Sequence, residues 1–283
     1  MAETSIEWCD FTFNPWTGCQ KVAPECDHCY AEGWAKRSGH VGWGPTADRR
    51  RTTAATWSKP RKWDAVAGAK GIRRRVFVAS LADVFDNAVP DDWRADLWAL
   101  IRECPNLDWL LLTKRPQNIA KMLPDDWGDG WPNVWLGTSA GTQETADRNI
   151  PALLAVPAAV RFVSAEPLLE FVDLETAWFG ESALDAECWG DCAWCGNGHP
   201  PLHNCQRGRQ PEAVFDKGQS GLDWIIAGGE SGPGARPMDP EWARSLRDQC
   251  AAAGTAFFMK QIGGTRKPFV SIPDDLMVRE WPR

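Results

Sequence analysis

The sequence predicts an α/β fold, a complete or partial TIM-type (βα) barrel with a cysteine-rich metal-binding insertion, and three observations predict it. Apolar runs of strand length recur along the chain, continuous rather than alternating, as in strands buried on both faces of a parallel sheet. Most are followed by a helix-like stretch, the rhythm of βα units. Polar or small residues close nearly every run, as an active face at the strand C-termini requires. That last feature favours a barrel over a doubly wound open sheet. The 283 residues are read as one barrel-like domain with ample core.

In order, a strand-like run from Ile6 to Phe13 comes first. Val76–Ser80, Trp109–Thr113, Val134–Thr138, Val160–Ser164, Trp224–Gly228 and Ala256–Lys260 follow, giving about seven units. Helices fit between them. Pro90 to Glu103 opens with Pro-Asp-Asp, a good first turn, and Asp239 to Ala253 stops before Gly254.

Directly after the first strand stand Cys19, Cys26 and Cys29, spaced C-x6-C-x2-C. Three thiolates from one short loop suit three irons of a four-iron, four-sulfur cluster, with the fourth iron open to a small ligand. Two alternatives stay open, a zinc knuckle completed from elsewhere and buried free thiols. His28 points away if Cys26 and Cys29 face inward. Cys9, Cys104 and Cys250 read as core thiols, Cys9 lying close enough to the loop to be a spare ligand.

Composition is that of a globular chain, 43% hydrophobic and 24% charged. No apolar run approaches the roughly 18 residues of a membrane span, and no signal peptide precedes the cysteines, so a reducing, cytoplasmic setting is expected. The net charge of −7 argues against broad nucleic-acid binding. Its distribution is uneven. Residues 34–75 carry twelve Lys and Arg against Asp48 and Asp64, interleaved with Trp43, Trp57 and Trp63. Such a segment suits a phosphate backbone with stackable bases, or else neutralises the acidic remainder of the fold.

The strand ends hold the chemical inventory. Asp83 and Asp86 follow the second run, Lys114 and Arg115 the third, Thr138 and Ser139 the fourth, Glu166 the fifth and Lys260 the last. Acids and bases after almost every strand imply a shared polar pocket, with Lys114, Glu166 and Lys260 as candidate catalytic residues. After the sixth strand comes Gly228-Gly229-Glu230-Ser231-Gly232-Pro233-Gly234, then Arg236. Glycines there permit close backbone approach to a ligand and Glu230 can accept from an amine, so Gly228, Gly229, Glu230 and Arg236 are candidate cofactor-binding residues. A strained turn is the plainer reading.

A long excursion over residues 179–221 breaks the rhythm. It holds Cys192, Cys195, His203 and Cys205, a credible tetrahedral zinc site with Cys188 or His199 as alternates. A short insertion of low apolar content cannot build a core, and a structural metal gives it a reason to fold.

With these segments assembled, the chain resembles a phage and bacterial family of unknown function marked by the N-terminal three-cysteine motif. The likeness runs through Asn14-Pro15-Trp16-Thr17-Gly18-Cys19, Cys26-Asp27-His28-Cys29-Tyr30-Ala31, Leu112-Thr113-Lys114-Arg115-Pro116, Ala165-Glu166-Pro167-Leu168 and Gly228-Gly229-Glu230-Ser231-Gly232. That family in turn is similar to radical S-adenosylmethionine proteins, with a three-cysteine loop on a partial barrel. The resemblance implies a four-iron cluster, S-adenosylmethionine as cofactor and reductive cleavage of it. The basic segment, read from its own residues, makes nucleic acid or a nucleotide the natural substrate class. Two departures stand out. Six residues rather than three separate Cys19 from Cys26, and the Gly-Gly-Glu motif follows a late strand rather than the second. Cys188, Cys192 and Cys195 also match the usual spacing of that cluster loop. The cluster is placed at Cys19, Cys26 and Cys29 because that loop follows the first strand and the insertion has histidines to close a zinc site, with the reverse assignment left open. The alternative is a zinc-binding nucleic-acid or partner-binding protein without radical chemistry. A third reading is a barrel hydrolase or lyase with structural cysteines.

Overall fold

Strands long enough to bury both faces have to be covered on both sides, and the computed structural model, which describes residues 4–177, 182–184, 221–266 and 269–282, shows how this chain does it. Along the chain lie β1 (Phe11–Phe13), β2 (Trp16–Thr17), α1 (Tyr30–Ser38), β3 (Arg50–Arg51), α2 (Ala54–Trp57) and α3 (Lys59–Lys70). Then come β4 (Arg74–Val78), α4 (Asp91–Glu103), β5 (Leu107–Thr113), α5 (Ile119–Met122), β6 (Val134–Ser139) and α6 (Gln143–Leu154). The remainder is β7 (Val160–Ala165), β8 (Trp224–Gly228), α7 (Pro240–Ala253) and β9 (Ala256–Gln261). Seven of the strands form one sheet in the order β1-β4-β5-β6-β7-β8-β9, every neighbouring pair parallel. The order never reverses, as a doubly wound sheet would require. β1 and β9 stand at opposite edges, so the barrel is partial.

The sheet is curled. Trp8 lies 4.7 Å from Phe77 on β4 and 6.3 Å from Trp224 on β8, ring centroid to ring centroid. In a flat sheet, strands four places apart are separated by about 19 Å. One ring reaches both because the sheet bends around it.

Alternation along each strand splits the core in two. Trp109 and Leu111 of β5, Ile225 and Ala227 of β8, and Phe257 and Met259 of β9 join the larger cluster, which takes in the buried faces of α4, α6 and α7. Leu110, Trp135, Phe162, Trp224, Ile226 and Phe258 join Trp8 and Phe77 in a second cluster on the other face. The helices are bounded as their sequences imply. Asp239 caps α7 by accepting from the Glu241 amide, Pro240 fills its first turn, and Gly254 closes it at φ 72°. α4 begins with Asp91 and Asp92 at its positive end and buries Leu97, Trp98, Leu100 and Ile101.

The expected first strand is shorter than its apolar run, forming only over Phe11–Phe13, while Trp8 leaves the sheet to fill the inner core. Among the described residues, no helix is long and apolar enough to cross a membrane. The proposed zinc ligands Cys192, Cys195, His203 and Cys205 lie outside the described residues, as does most of the expected insertion.

Candidate active site

The C-terminal ends of the parallel strands open onto one cavity of about 560 Å³. Trp8, Phe77 and Leu112 give it an apolar side. Lys114, Arg115, Ser139, Ser164, Glu166 and Lys260 supply strand-end polar groups, and Cys19, Cys26 and Cys29 all line it.

The cysteine loop is positioned by distant partners. Gly18 turns the chain at φ 100°, where a side chain is strained and a Cβ would meet Val41 at 3.0 Å. Its amide donates to the Leu81 carbonyl at 3.1 Å, fixing the loop to the end of β4. β2 pairs antiparallel with β3, and next to β3 the buried Arg49 donates to Asp86 at 2.8 Å. Cys26 ends a 3-10 turn over Pro24–Cys26 and is buried; Cys29 precedes α1 and its carbonyl accepts from the Gly33 amide.

Two carboxylates clamp this loop. Glu25, between the first two cysteines and 5% exposed, accepts from the Gly141 amide at 2.8 Å and the Thr145 hydroxyl at 2.6 Å, at the start of α6. From the other side, Arg236 donates to the Pro24 carbonyl at 2.9 Å and pairs with Asp27 at 3.3 Å. Glu230 holds Arg236 through its backbone amide at 2.8 Å and its guanidinium at 2.8 and 3.1 Å. It also accepts from His28 Nδ1 at 2.8 Å. Burial opposes ionisation of Glu230, but these donors overcome it and hold the carboxyl at about 2. His28 therefore faces β8 and the glycine-rich loop.

Cys19 meets a buried ion pair. Arg115 Nη1 and Nη2 each lie 3.6 Å from its sulfur, and Nη1 donates to Asp83 at 2.8 Å. Asp83 also accepts from the Thr113 hydroxyl at 2.8 Å and from the amides of Phe85 and Lys114. Burial and the Asp83 charge push the Cys19 thiol up to about 11, against the pull of Arg115.

The candidate catalytic residues converge. Lys260 at the end of β9 pairs with Glu166 Oε1 at 2.7 Å, and Glu166 Oε2 accepts from the Ser164 hydroxyl at 3.3 Å. Lys114 lines the same cavity and has no ion-pair partner among the described residues. Gly228, Gly229, Glu230 and Arg236 are not on the cavity wall. A Cβ on Gly228 would reach 2.8 Å from Glu166 Oε1, and one on Gly229 would lie 1.9 Å from the Ile262 carbonyl oxygen. These glycines allow β8 to pack against its neighbours, and the Glu230 carboxylate is engaged by Arg236 and His28.

Sequence reasoning singled out Lys114 and passed over the adjoining Arg115 as a site residue, and it gave Trp8 and Trp43 no role there. Trp8 Nε1, Trp43 Nε1 and the Ser139 hydroxyl are buried donors without a hydrogen-bond partner among the described residues, on residues that line the cavity. Each is a buried polar group whose hydrogen-bonding capacity the described residues leave unused.

Cys19, Cys26 and Cys29 are free thiols. Among the described residues, no group of three His, Cys, Asp or Glu side chains converges tightly enough for a single metal ion. Zinc–sulfur bonds of about 2.3 Å would hold thiolates about 3.8 Å apart in a tetrahedral site. A cluster takes each thiolate on a different iron, a wider spacing than a single zinc ion allows. Cys9 is a buried thiol of the inner core, donating toward the Ile6 carbonyl.

Much of the basic segment is spent within the fold. Arg51 pairs with Asp96, Arg61 with Glu103, Arg73 with Asp108, and Arg74 and Arg75 with Asp10. Arg37 and Arg50, both exposed near the cysteine loop, have no ion-pair partner among the described residues, nor do Lys59, Lys62 and Lys70 on α3.

A family model described as "Protein of unknown function (DUF5131)" matches residues 3–278. No curated protein matches the sequence. Among solved structures, a spore photoproduct lyase mutant with bound AdoMet and dinucleoside spore photoproduct is 11% identical with a TM-score of 0.44, the match covering 87% of this chain and 64% of that one. A second spore photoproduct lyase mutant is 10% identical with a TM-score of 0.49, covering 92% and 78%. This chain thus spans less than two thirds of the first, and at these identities the likeness is one of general arrangement.

Proposed function

The chain belongs to the DUF5131 family, which hands down no activity, and from the site itself we propose that it is an iron–sulfur, radical S-adenosylmethionine-like enzyme acting on a nucleic acid or nucleotide. One observation carries the reading: three free thiols of one loop share a cavity with Lys114, Glu166 and Lys260 at the strand C-termini. Cys19, Cys26 and Cys29 would hold the cluster, and the chemistry supplied there is one-electron reductive cleavage of S-adenosylmethionine.

The chain's own groups divide the remaining tasks. Lys114 offers a cation to a carboxylate or phosphate. Glu166 and Lys260 form a pair able to hold or pass a proton beside the reacting atoms. The unpartnered donors of Ser139, Trp8 and Trp43 orient acceptor atoms, and the inner aromatic layer excludes water from one side. Support for a nucleic-acid substrate comes from Arg37 and Arg50 near the cysteine loop. The phage or bacterial setting implied by the family resemblance belongs to the same proposal, as does a zinc site in the insertion.

The test is anaerobic reconstitution of wild type and a Cys19/Cys26/Cys29→Ala variant. About four irons and four sulfides per chain, lost in the variant, with deoxyadenosine formed from S-adenosylmethionine under reduction, is the expected result. Zinc alone in both proteins overturns it.

A further inference from the structure

Arg115 and Cys19 carry an inference that rests on the reading of Cys19, Cys26 and Cys29 as cluster ligands. Arg115 is buried, and both terminal nitrogens lie 3.6 Å from the Cys19 sulfur. Its place is fixed independently of that sulfur. Its amide donates to the Thr113 hydroxyl at 2.9 Å, Nη1 to Asp83 at 2.8 Å and Nη2 to the Gln20 carbonyl at 3.3 Å. Asp86 stands 4.0 Å from Nη2, but its carboxylate is committed to Arg49 at 2.8 Å. A forked cation is thus aimed at a thiol sulfur whose surroundings are otherwise acidic.

We propose that Arg115 is a positioning residue that sets the reduction potential of the cluster bound through Cys19. In that step one electron from an external low-potential donor enters the cluster; no bond breaks and no proton is required. The added negative charge spreads onto the ligating sulfurs. Hydrogen bonds to those sulfurs and nearby charge are what tune such potentials, and burial strengthens both. Arg115 eases the reduction and Asp83 opposes it. The salt bridge between them sets the balance.

The experiment is a redox titration with dithionite, followed by electron paramagnetic resonance, on reconstituted wild type, Arg115→Met, Arg115→Lys and Asp83→Asn. Iron content and circular dichroism are measured on each. Arg115→Met is expected to lower the reduction equilibrium constant about tenfold, a shift of about 59 mV for one electron. Arg115→Lys falls between it and wild type, and Asp83→Asn shifts the potential upward. A merely structural role would not move the two partners in opposite directions. Loaded variants that all share the wild-type potential overturn the proposal. Folded Arg115 variants that bind no iron while wild type binds four also overturn it, making Arg115 a residue that holds the loop. Wild type without iron is the separate failure of the underlying reading, and this inference falls with it.

Discussion

Lys260 and Glu166 meet at 2.7 Å across the end of β8, whose Gly228 separates them and carries no side chain. The pair joins the fifth and seventh strands of the sheet over the one between, and it exists because that intervening position is a glycine.

Gly228 and Gly229 should therefore respond differently to alanine. At Gly228 the new methyl meets the far end of the Glu166 side chain at 2.8 Å, which can swing away at the expense of the ion pair. At Gly229 it meets the Ile262 carbonyl at 1.9 Å, which is backbone and cannot swing. Gly229→Ala is expected to cost about 3 kcal/mol or more in urea unfolding and Gly228→Ala about 1 kcal/mol. Equal costs would mean that Glu166 is not free to yield.

Glu230 gives the fold a pH dependence of defined sign. Its carboxyl is held at about 2, below an unfolded value of about 4.3. The stabilisation is complete above the unfolded value and is lost as pH falls from about 4.3 toward 2. Glu230→Gln should lose up to about 3 kcal/mol at pH 7 and show a shallower fall in stability across that acid range than wild type. Parallel acid profiles for the two proteins would show that Arg236 and His28 do not grip this carboxylate in solution.

Thiol accessibility separates Cys19 and Cys29 from the core cysteines. Burial pushes Cys9 and Cys104 up to about 12 and raises Cys250 further. Cys29 and Cys19 are both partly exposed on the cavity, and the Cys19 thiol is pushed up to about 11. Iodoacetamide at pH 8 on metal-free protein, followed by peptide mass mapping, should label Cys29 first and Cys19 more slowly. Cys9, Cys104 and Cys250 should label only after denaturation. Early labelling of Cys104 would contradict its burial.

What the sequence made legible were local properties. Trp224–Gly228 is a strand with its predicted bounds, and the other five later runs became strands shifted or extended by a few residues at most, because a continuous apolar run has few alternatives to a strand buried on both faces. Lys114, Glu166 and Lys260 share a cavity because parallel strands of a partial barrel end at one face. The clamps on the cysteine loop were not legible. Glu25 reaches Gly141 and Thr145 across more than a hundred residues, and β2 and β3 are two residues each, too short for any periodicity. Nor does a run of twelve cations disclose that Arg49, Arg61 and Arg73 are paired with acids from other elements.

Trp8 provides the last test, because its two roles separate chemically. Its ring packs on Phe77 and Trp224, closing the curl of the sheet, and its carbonyl accepts from Trp281 at 3.4 Å. Its indole N–H is buried and has no hydrogen-bond partner among the described residues, and the residue lines the cavity. Trp8→Ala removes the ring and should cost about 3–5 kcal/mol while enlarging the cavity. Trp8→Phe keeps most of the packing and deletes a donor that satisfies nothing within the fold, so its cost should stay below about 1.5 kcal/mol. If that donor serves a bound ligand, Trp8→Phe weakens S-adenosylmethionine or substrate binding, measured by calorimetry, with unfolding nearly unchanged. Equal stability losses for both variants would place the value of Trp8 in its N–H rather than its ring, contrary to the packing seen around it.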